Sequence, residues 1–148
     1  VDEAIAALCA EAVGAMQSLQ DLTLEYLKTR KQFGRAIGSF QVLQHRSVDM
    51  LVAVEGARSM AMFAAMSAAE ENPIERRKAI SAAKVQIGRS ARHVGQEAIQ
   101  LHGGIGMTTE YAAGHYFKRV TMIDQLYGDA DTHLAKLARL GGLFGKAA

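Results

Sequence analysis

Apolar residues recur along this chain at spacings of three and four, the period of a helix that buries one face. Ile5, Leu8, Ala12, Ala15, Leu19, Leu22 and Tyr26 form one such seam and predict a first helix from Asp2 to Lys31. Gly34 breaks the pattern, and Phe33 to Gly38 reads as a loop. A second helix is expected from Ser39, a candidate N-cap, to Glu71. In it Leu43, Met50, Ala57 and Ala64 fall seven apart, with Ser47, Val54, Ala61 and Ala68 at the offset positions. Asn72-Pro73-Ile74-Glu75 then combines a cap, a first-turn proline and a capping-box glutamate. The helix it opens runs to His102, with Ile80, Ile87, Val94 and Leu101 seven apart and Gly103-Gly104 as its stop. Shorter helices are predicted from Thr109 to Asp124 and from Asp129 to Leu140, the last carrying Leu134, Leu137 and Leu140. No segment alternates with period two strongly enough to predict a strand.

Three helices of about 30 residues span about 45 Å each. Joined by short loops they must pack antiparallel. The expected fold is all-α: an up-down four-helix bundle with an additional short C-terminal helix, one domain over residues 1–148. Composition supports this, with 26 alanines against one proline in 148 residues. It excludes collagen-like, disordered and disulfide-stapled classes.

A formal charge of +2 is too small to imply a nucleic-acid partner. Cys9 is the only cysteine, which rules out an internal disulfide and points to a reducing, cytoplasmic compartment. No run of 18 apolar residues suggests a membrane span, and no signal-peptide pattern opens the chain. The first residue is Val rather than Met, which fits a piece of a longer protein.

Two stretches could carry chemistry. Arg30-Lys31-Gln32-Phe33-Gly34-Arg35 gathers cations at a helix end. It reads either as dipole compensation in a solvated loop or as an anion site where Arg30 binds phosphate bidentately. Gln41 and Gln44 would point near it. Gln100-Leu101-His102-Gly103-Gly104-Ile105-Gly106 is glycine-rich but follows no strand, so it is no dinucleotide fingerprint. It reads as a helix stop or as backbone that a ligand approaches closely. His45, His93, His102, His115 and His133 lack the spacing of metal ligands on one helix face, so no metal site is expected and surface or half-buried positions are. Met60, Met62 and Met66 are expected in the core, and Glu75 to Lys78 in a solvated first turn. Asp129 and Asp131 can simply start the last helix.

The two stretches together carry a resemblance. Tyr26-Leu27-Lys28-Thr29-Arg30-Lys31-Gln32-Phe33-Gly34-Arg35-Ala36-Ile37-Gly38-Ser39-Phe40-Gln41 resembles the acyl-CoA dehydrogenase signature Y-x-x-x-R-x-Q-F-G-x-x-I-x-x-F-Q. Gln44 and Asp49-Met50 extend it. Gln100 to Tyr111 is similar to the family's second signature, Q-x-x-G-G-x-G-x-x-x-E-Y, in the family's order and separation. The resemblance implies the family's C-terminal helical domain. Complete subunits are more than twice as long and add an N-terminal helical domain and a middle β domain. It further implies FAD bound across a subunit interface in the full-length assembly. Arg30 would contact the pyrophosphate with Gln32 and Phe33 beside it. Gln100, Gly103 and Gly104 would contact the adenosine side from the partner subunit. The implied partners are an acyl-CoA substrate and either a second copy or a related dehydrogenase subunit.

The family's reaction removes two hydrogens from an acyl-CoA thioester, a carboxylate taking the α-proton while the β-hydrogen leaves as hydride to the flavin. Most members place that base as Glu in Y-E-G-T. Here the stretch is Leu126-Tyr127-Gly128-Asp129-Ala130-Asp131-Thr132. Aligned on Tyr127 the base position is Gly128, and aligned without a gap from Glu110-Tyr111 it is Tyr127. The alternative position on the first helix falls near Ala4. None is an acid. Glu3 and Asp129 are adjacent, and a one-residue slip on a helix turns a side chain by about 100°. The missing base leaves two readings: Asp129 acts as a displaced base, or the parent is the non-basic member of a heteromeric dehydrogenase. Gly128-Asp129-Ala130-Asp131 resembles small subunits of dicarboxylyl- or steroid-type enzymes. A non-catalytic helical assembly module is the remaining alternative.

Overall fold

A computed structural model of the chain describes residues 1–144. Five helices follow one another: α1 (Asp2–Thr29), α2 (Gln41–Ser67), α3 (Pro73–His102), α4 (Ala112–Gln125) and α5 (Ala130–Arg139). The first three pack against one another along their lengths, α4 lies against α1 and α3, and α5 lies against α3. The expected all-α bundle with a short last helix is what forms.

The apolar seams close the core. Met16, Leu19, Met50, Val54 and Val94 are fully buried, and Ile80 and Ile87 nearly so. Ala57, Ala64, Ala83 and Ala98 fill positions with no exposed surface. Such small residues let helix axes approach closely at those levels, while the larger ones fill the wider gaps. α3 is central: it touches every other helix and buries both its apolar seam and a polar stripe of Ser81, Lys84 and Ser90.

Several boundaries differ from expectation for local reasons. α1 stops at Thr29, where Arg30 turns extended (φ −69°, ψ 125°). Lys31–Gln32 (β1) then pairs antiparallel with Arg35–Ala36 (β2). These two-residue strands are too short to leave a period-two signal. Phe33 and Gly34 close the hairpin with φ of 54° and 76°, as a two-residue turn of this twist requires. Ser39 does not cap α2, because its hydroxyl donates backward to Ala36 O at 2.7 Å and a short 3-10 turn occupies Ile37–Ser39. α2 ends at Ser67 rather than Glu71, since Glu70 is used to accept from Asn72 N at 3.0 Å.

Asn72 caps α3 as expected, accepting from Ile74 N at 2.9 Å with Pro73 in the first turn. The return bond of a capping box is not made: Glu75 pairs with Lys78 instead, at 3.2 Å. Gly103 ends α3 with φ 62°. α4 starts at Ala112, not Thr109, because Thr108 Oγ1 donates to Ile105 O and Thr109 O faces the His115 ring.

Three expected surfaces are corrected. Met62 and Met66 are 56% and 76% exposed rather than core, because the buried face of α2 is taken by Val54, Ala57, Ala61 and Ala64. Lys78 is buried while its neighbours Glu75 and Arg77 are exposed. His102 and His133 are fully buried, which their helical spacing from Leu101 and Ala130 did not disclose.

Candidate functional site

The two motif stretches meet at one end of the bundle. Tyr26, one turn before the hairpin, packs against His102 at the end of α3 with ring centroids 4.7 Å apart. Tyr111 completes the cluster, 5.0 Å from His102 and 6.4 Å from Tyr26. All three residues lie inside the motifs, so each motif carries its own half of the contact. Burial, together with Tyr26 and Glu25, raises the Tyr111 phenol above its ordinary range, so it stays neutral. His102 Nδ1 donates to Ala98 O at 2.7 Å, and its buried Nε2 has no partner among the described residues.

Beside this cluster the hairpin offers its side chains outward. Arg30, Lys31, Gln32 and Arg35 are exposed. Among the described residues no ion pair involves Arg30 or Lys31. Phe33 is 89% exposed at a positive φ of 54°, an unfavourable backbone for a bulky residue. It meets Phe40 edge-on at 6.0 Å, and the Arg35 guanidinium stacks 4.0 Å over the Phe40 ring. Gln44 Nε2 donates to Gly38 O at 2.9 Å, tying the loop to α2. Gln100, Gly103 and Gly104 are exposed just beyond the aromatic cluster. A free guanidinium, a presented aromatic ring and open glycine backbone suit an anion that carries an aromatic group.

The second candidate region lies at the other end of α1. Ala4, Ala7, Leu8 and Glu11 of α1 face Leu126 and Tyr127 of the α4–α5 turn across a cleft of about 490 Å³. Two of the three alternative base positions, Ala4 and Tyr127, thus open on one space. The one acid in that lining, Glu11, is held by Arg119 in a two-pronged pair (2.5 and 2.9 Å) that keeps its carboxyl below the usual range. Asp129 caps α5, its Oδ1 accepting from Thr132 N at 2.8 Å, and hydrogen bonding with the Thr132 side chain and backbone lowers its pKa. Glu3 is exposed on the first turn of α1. Tyr127 and Gly128 adopt positive φ of 60° and 103°, and Tyr127 is 53% exposed.

Twenty-two residues of α1 separate Ala4 from Tyr26, about 33 Å of helix. The hairpin and the α4–α5 turn are therefore two regions, not one pocket. Sequence reasoning missed what holds the second. Lys84 sits in the apolar seam between Ile80 and Ile87, and a lysine at such a position was the available signal. Among the described residues no group of three or more potential metal-binding side chains occurs.

A family profile described as acyl-CoA dehydrogenase, C-terminal domain, matches residues 3–141. The chain is 42% identical over 118 residues to acyl-CoA dehydrogenase IpdE2 of Mycobacterium tuberculosis, covering 80% of this chain and 35% of that protein. A solved variant of the Tcur3481-Tcur3483 steroid ACAD superposes with a TM-score of 0.87 at 33% identity, covering 94% of this chain and 38% of the other. A structure described as PigA with FAD and proline gives 0.82 at 31% identity, covering 96% and 37%. The chain thus spans well under half the length of these relatives.

Proposed function

Since the chain belongs to the acyl-CoA dehydrogenase family and corresponds to its C-terminal domain, we propose that it supplies FAD contacts and a subunit interface to an FAD-dependent acyl-CoA dehydrogenase. The carrying observation is the hairpin: an exposed Arg30 with no ion pair among the described residues, and an outward Phe33. FAD, when bound, accepts the hydride of the α,β-dehydrogenation. Arg30 binds the pyrophosphate through charge-assisted hydrogen bonds. Gln32 and Phe33 flank it, and the partner subunit's Gln100, Gly103 and Gly104 take the adenosine side.

Geometry favours sharing the cofactor between subunits. The five-carbon chain joining a flavin ring to its pyrophosphate is far shorter than the roughly 33 Å between the hairpin and the cleft at Ala4 and Tyr127. The hairpin of one subunit then serves the reaction site of another. The apolar outer face of α2 supports such contact. Val42, Val48, Leu51, Val52, Met62 and Met66 all lie exposed on it. α2 is also long and apolar enough to cross a membrane by length and composition. Arg46 and Arg58, however, tie it to Glu97 of α3 and Gln17 of α1, both at 2.6 Å, so a protein neighbour is the better match.

The base comes from outside this chain. Ala4, Tyr127 and Gly128 are not acids, Glu11 is neutralised by Arg119, Asp129 is engaged as a helix cap, and Glu3 is exposed outside the lining of the cleft. This favours the heteromeric reading, in which a related subunit brings the carboxylate, over a displaced Asp129 base. The likeness to a steroid ACAD, which is named for two proteins, points the substrate toward a steroid acyl-CoA. The test is the full-length protein expressed with its operon partner. It should purify yellow and reduce an electron acceptor with acyl-CoA. A colourless, inactive assembly would contradict the proposal. Residues 1–148 alone should be colourless, inactive and self-associating.

A further inference from the structure

The α4–α5 turn is gripped from below by one stripe of α3. Ser81, Lys84, Gly88 and Arg92 are spaced three, four and four residues apart and so share a helix face. Lys84, Gly88 and Arg92 meet the end of α4, and Ser81 meets His133 of α5. The Lys84 ammonium, 1% exposed, donates to Ile123 O at 2.5 Å and Asp124 O at 3.1 Å. These are two of the last α4 carbonyls, which have no partner inside the helix, and the cation meets the negative end of the α4 dipole. Arg92 reaches Asp124 Oδ2 at 3.4 Å. Gly88 leaves room for the same carboxylate: a Cβ there would overlap Asp124 Oδ1 and crowd Ala130 Cβ at 3.2 Å.

The far side of the turn is held by His133. Its Nε2 lies 3.2 Å from Tyr127 O and its Nδ1 3.1 Å from Ser81 Oγ. A carbonyl only accepts, so Nε2 carries the proton, and Nδ1 accepts from the Ser81 hydroxyl. Burial, with the Lys136 and Lys84 charges nearby, favours this neutral ring. The carbonyl thus held belongs to Tyr127, whose positive φ persists only where the surroundings over-determine it.

We propose that Lys84 and His133 are positioning residues that fix the turn 125–129 so that Tyr127 faces the cleft of Ala4, Ala7 and Leu8. This deepens the dehydrogenase reading, because the cleft is where that reading places the acyl group. Lys84 sets the end of α4 and His133 sets the Tyr127 peptide. Between them the chain has no freedom to swing Tyr127 out of the cleft.

The experiment is hydrogen–deuterium exchange on the full-length assembly carrying Lys84→Met, His133→Gln or Ser81→Ala, together with steady-state kinetics. Amides of residues 125–129 should exchange at least tenfold faster in Lys84→Met and His133→Gln. Those of the hairpin 30–36 should not change, and flavin content should be retained. KM for acyl-CoA should rise at least threefold. Unchanged exchange at 125–129 overturns the inference, as does acceleration spread evenly over every helix. Ser81→Ala removes a single hydroxyl, so it decides the matter if Lys84→Met fails to fold: it should loosen the same amides about threefold, and no change counts against the anchor. The exchange result stands apart from the dehydrogenase reading, which fails separately if the unaltered assembly neither holds flavin nor oxidises acyl-CoA.

Discussion

The hairpin at Arg30–Ala36 and the turn at Gln125–Asp129 both depart from helix through consecutive residues of positive φ, yet they treat their polar groups in opposite ways. At the turn, three charged or polar side chains serve the fold: Lys84 holds carbonyls, Asp129 caps a helix, and His133 bridges Ser81 and Tyr127. In the hairpin Arg30 and Lys31 face outward with no ion pair among the described residues, and Phe33 stands almost wholly exposed. A cation satisfied within the fold stabilises the fold, whereas one left unpaired beside a presented aromatic ring is free to bind something else. The same residue types therefore mean different things at the two ends, and partners rather than identity decide which.

The contrast can be broken most forcefully at Gly88. Gly88→Ala puts a methyl group into the Asp124 carboxylate and should cost about 2–3 kcal/mol, read as a lowered melting temperature of the assembly with FAD affinity preserved. Phe33→Gly should do the reverse. It relieves the positive φ and leaves stability unchanged or raised by about 1 kcal/mol, while FAD titration shows several-fold weaker binding. If both substitutions moved stability alike, the two regions would not differ as described.

The turn should also carry a pH signature that the hairpin lacks. The His133 pKa is pushed down by burial, so the unfolded chain binds its proton more readily than the fold does. Stability is then full above the unfolded value of about 6.5 and falls as pH drops through the folded value. Melting curves from pH 7.5 to 5 should show this decline, and His133→Gln should flatten it. Smallest of all is Asp129→Asn. Asparagine caps a helix as well as aspartate, so stability should shift by no more than a few tenths of a kcal/mol. Turnover of the assembled enzyme should stay near normal, and a loss beyond a hundredfold would make Asp129 the base.

Much of the bundle was legible because its signals are local. Ile80, Ile87, Val94 and Leu101 mark a buried stripe by spacing alone, and Asn72-Pro73 marks a helix start by short-range hydrogen bonding. The hairpin strands were not legible, since two residues cannot show a period of two. The outward side of Met62 and Met66 was hidden because an exposed apolar face has the composition of a core. At the candidate site the motif residues were found, but their meeting through Tyr26, His102 and Tyr111 joins positions 85 residues apart and needs the fold. Asp129 was legible both as helix start and as possible base, and only its bond to Thr132 N separates the two uses. Lys84 was obscured because its partners are backbone carbonyls 39 and 40 residues away, which no side-chain pattern records.

The central claim is that the hairpin cation binds the cofactor's pyrophosphate rather than serving the fold. It is tested most directly by titrating FAD into the flavin-stripped full-length assembly of the unaltered protein and of Arg30→Ala. Removing one charge-assisted contact worth about 1.5–3 kcal/mol should weaken binding at least tenfold while the melting temperature of the flavin-free protein stays put. An unchanged Kd, or a loss of affinity matched by an equal loss of flavin-free stability, would contradict it.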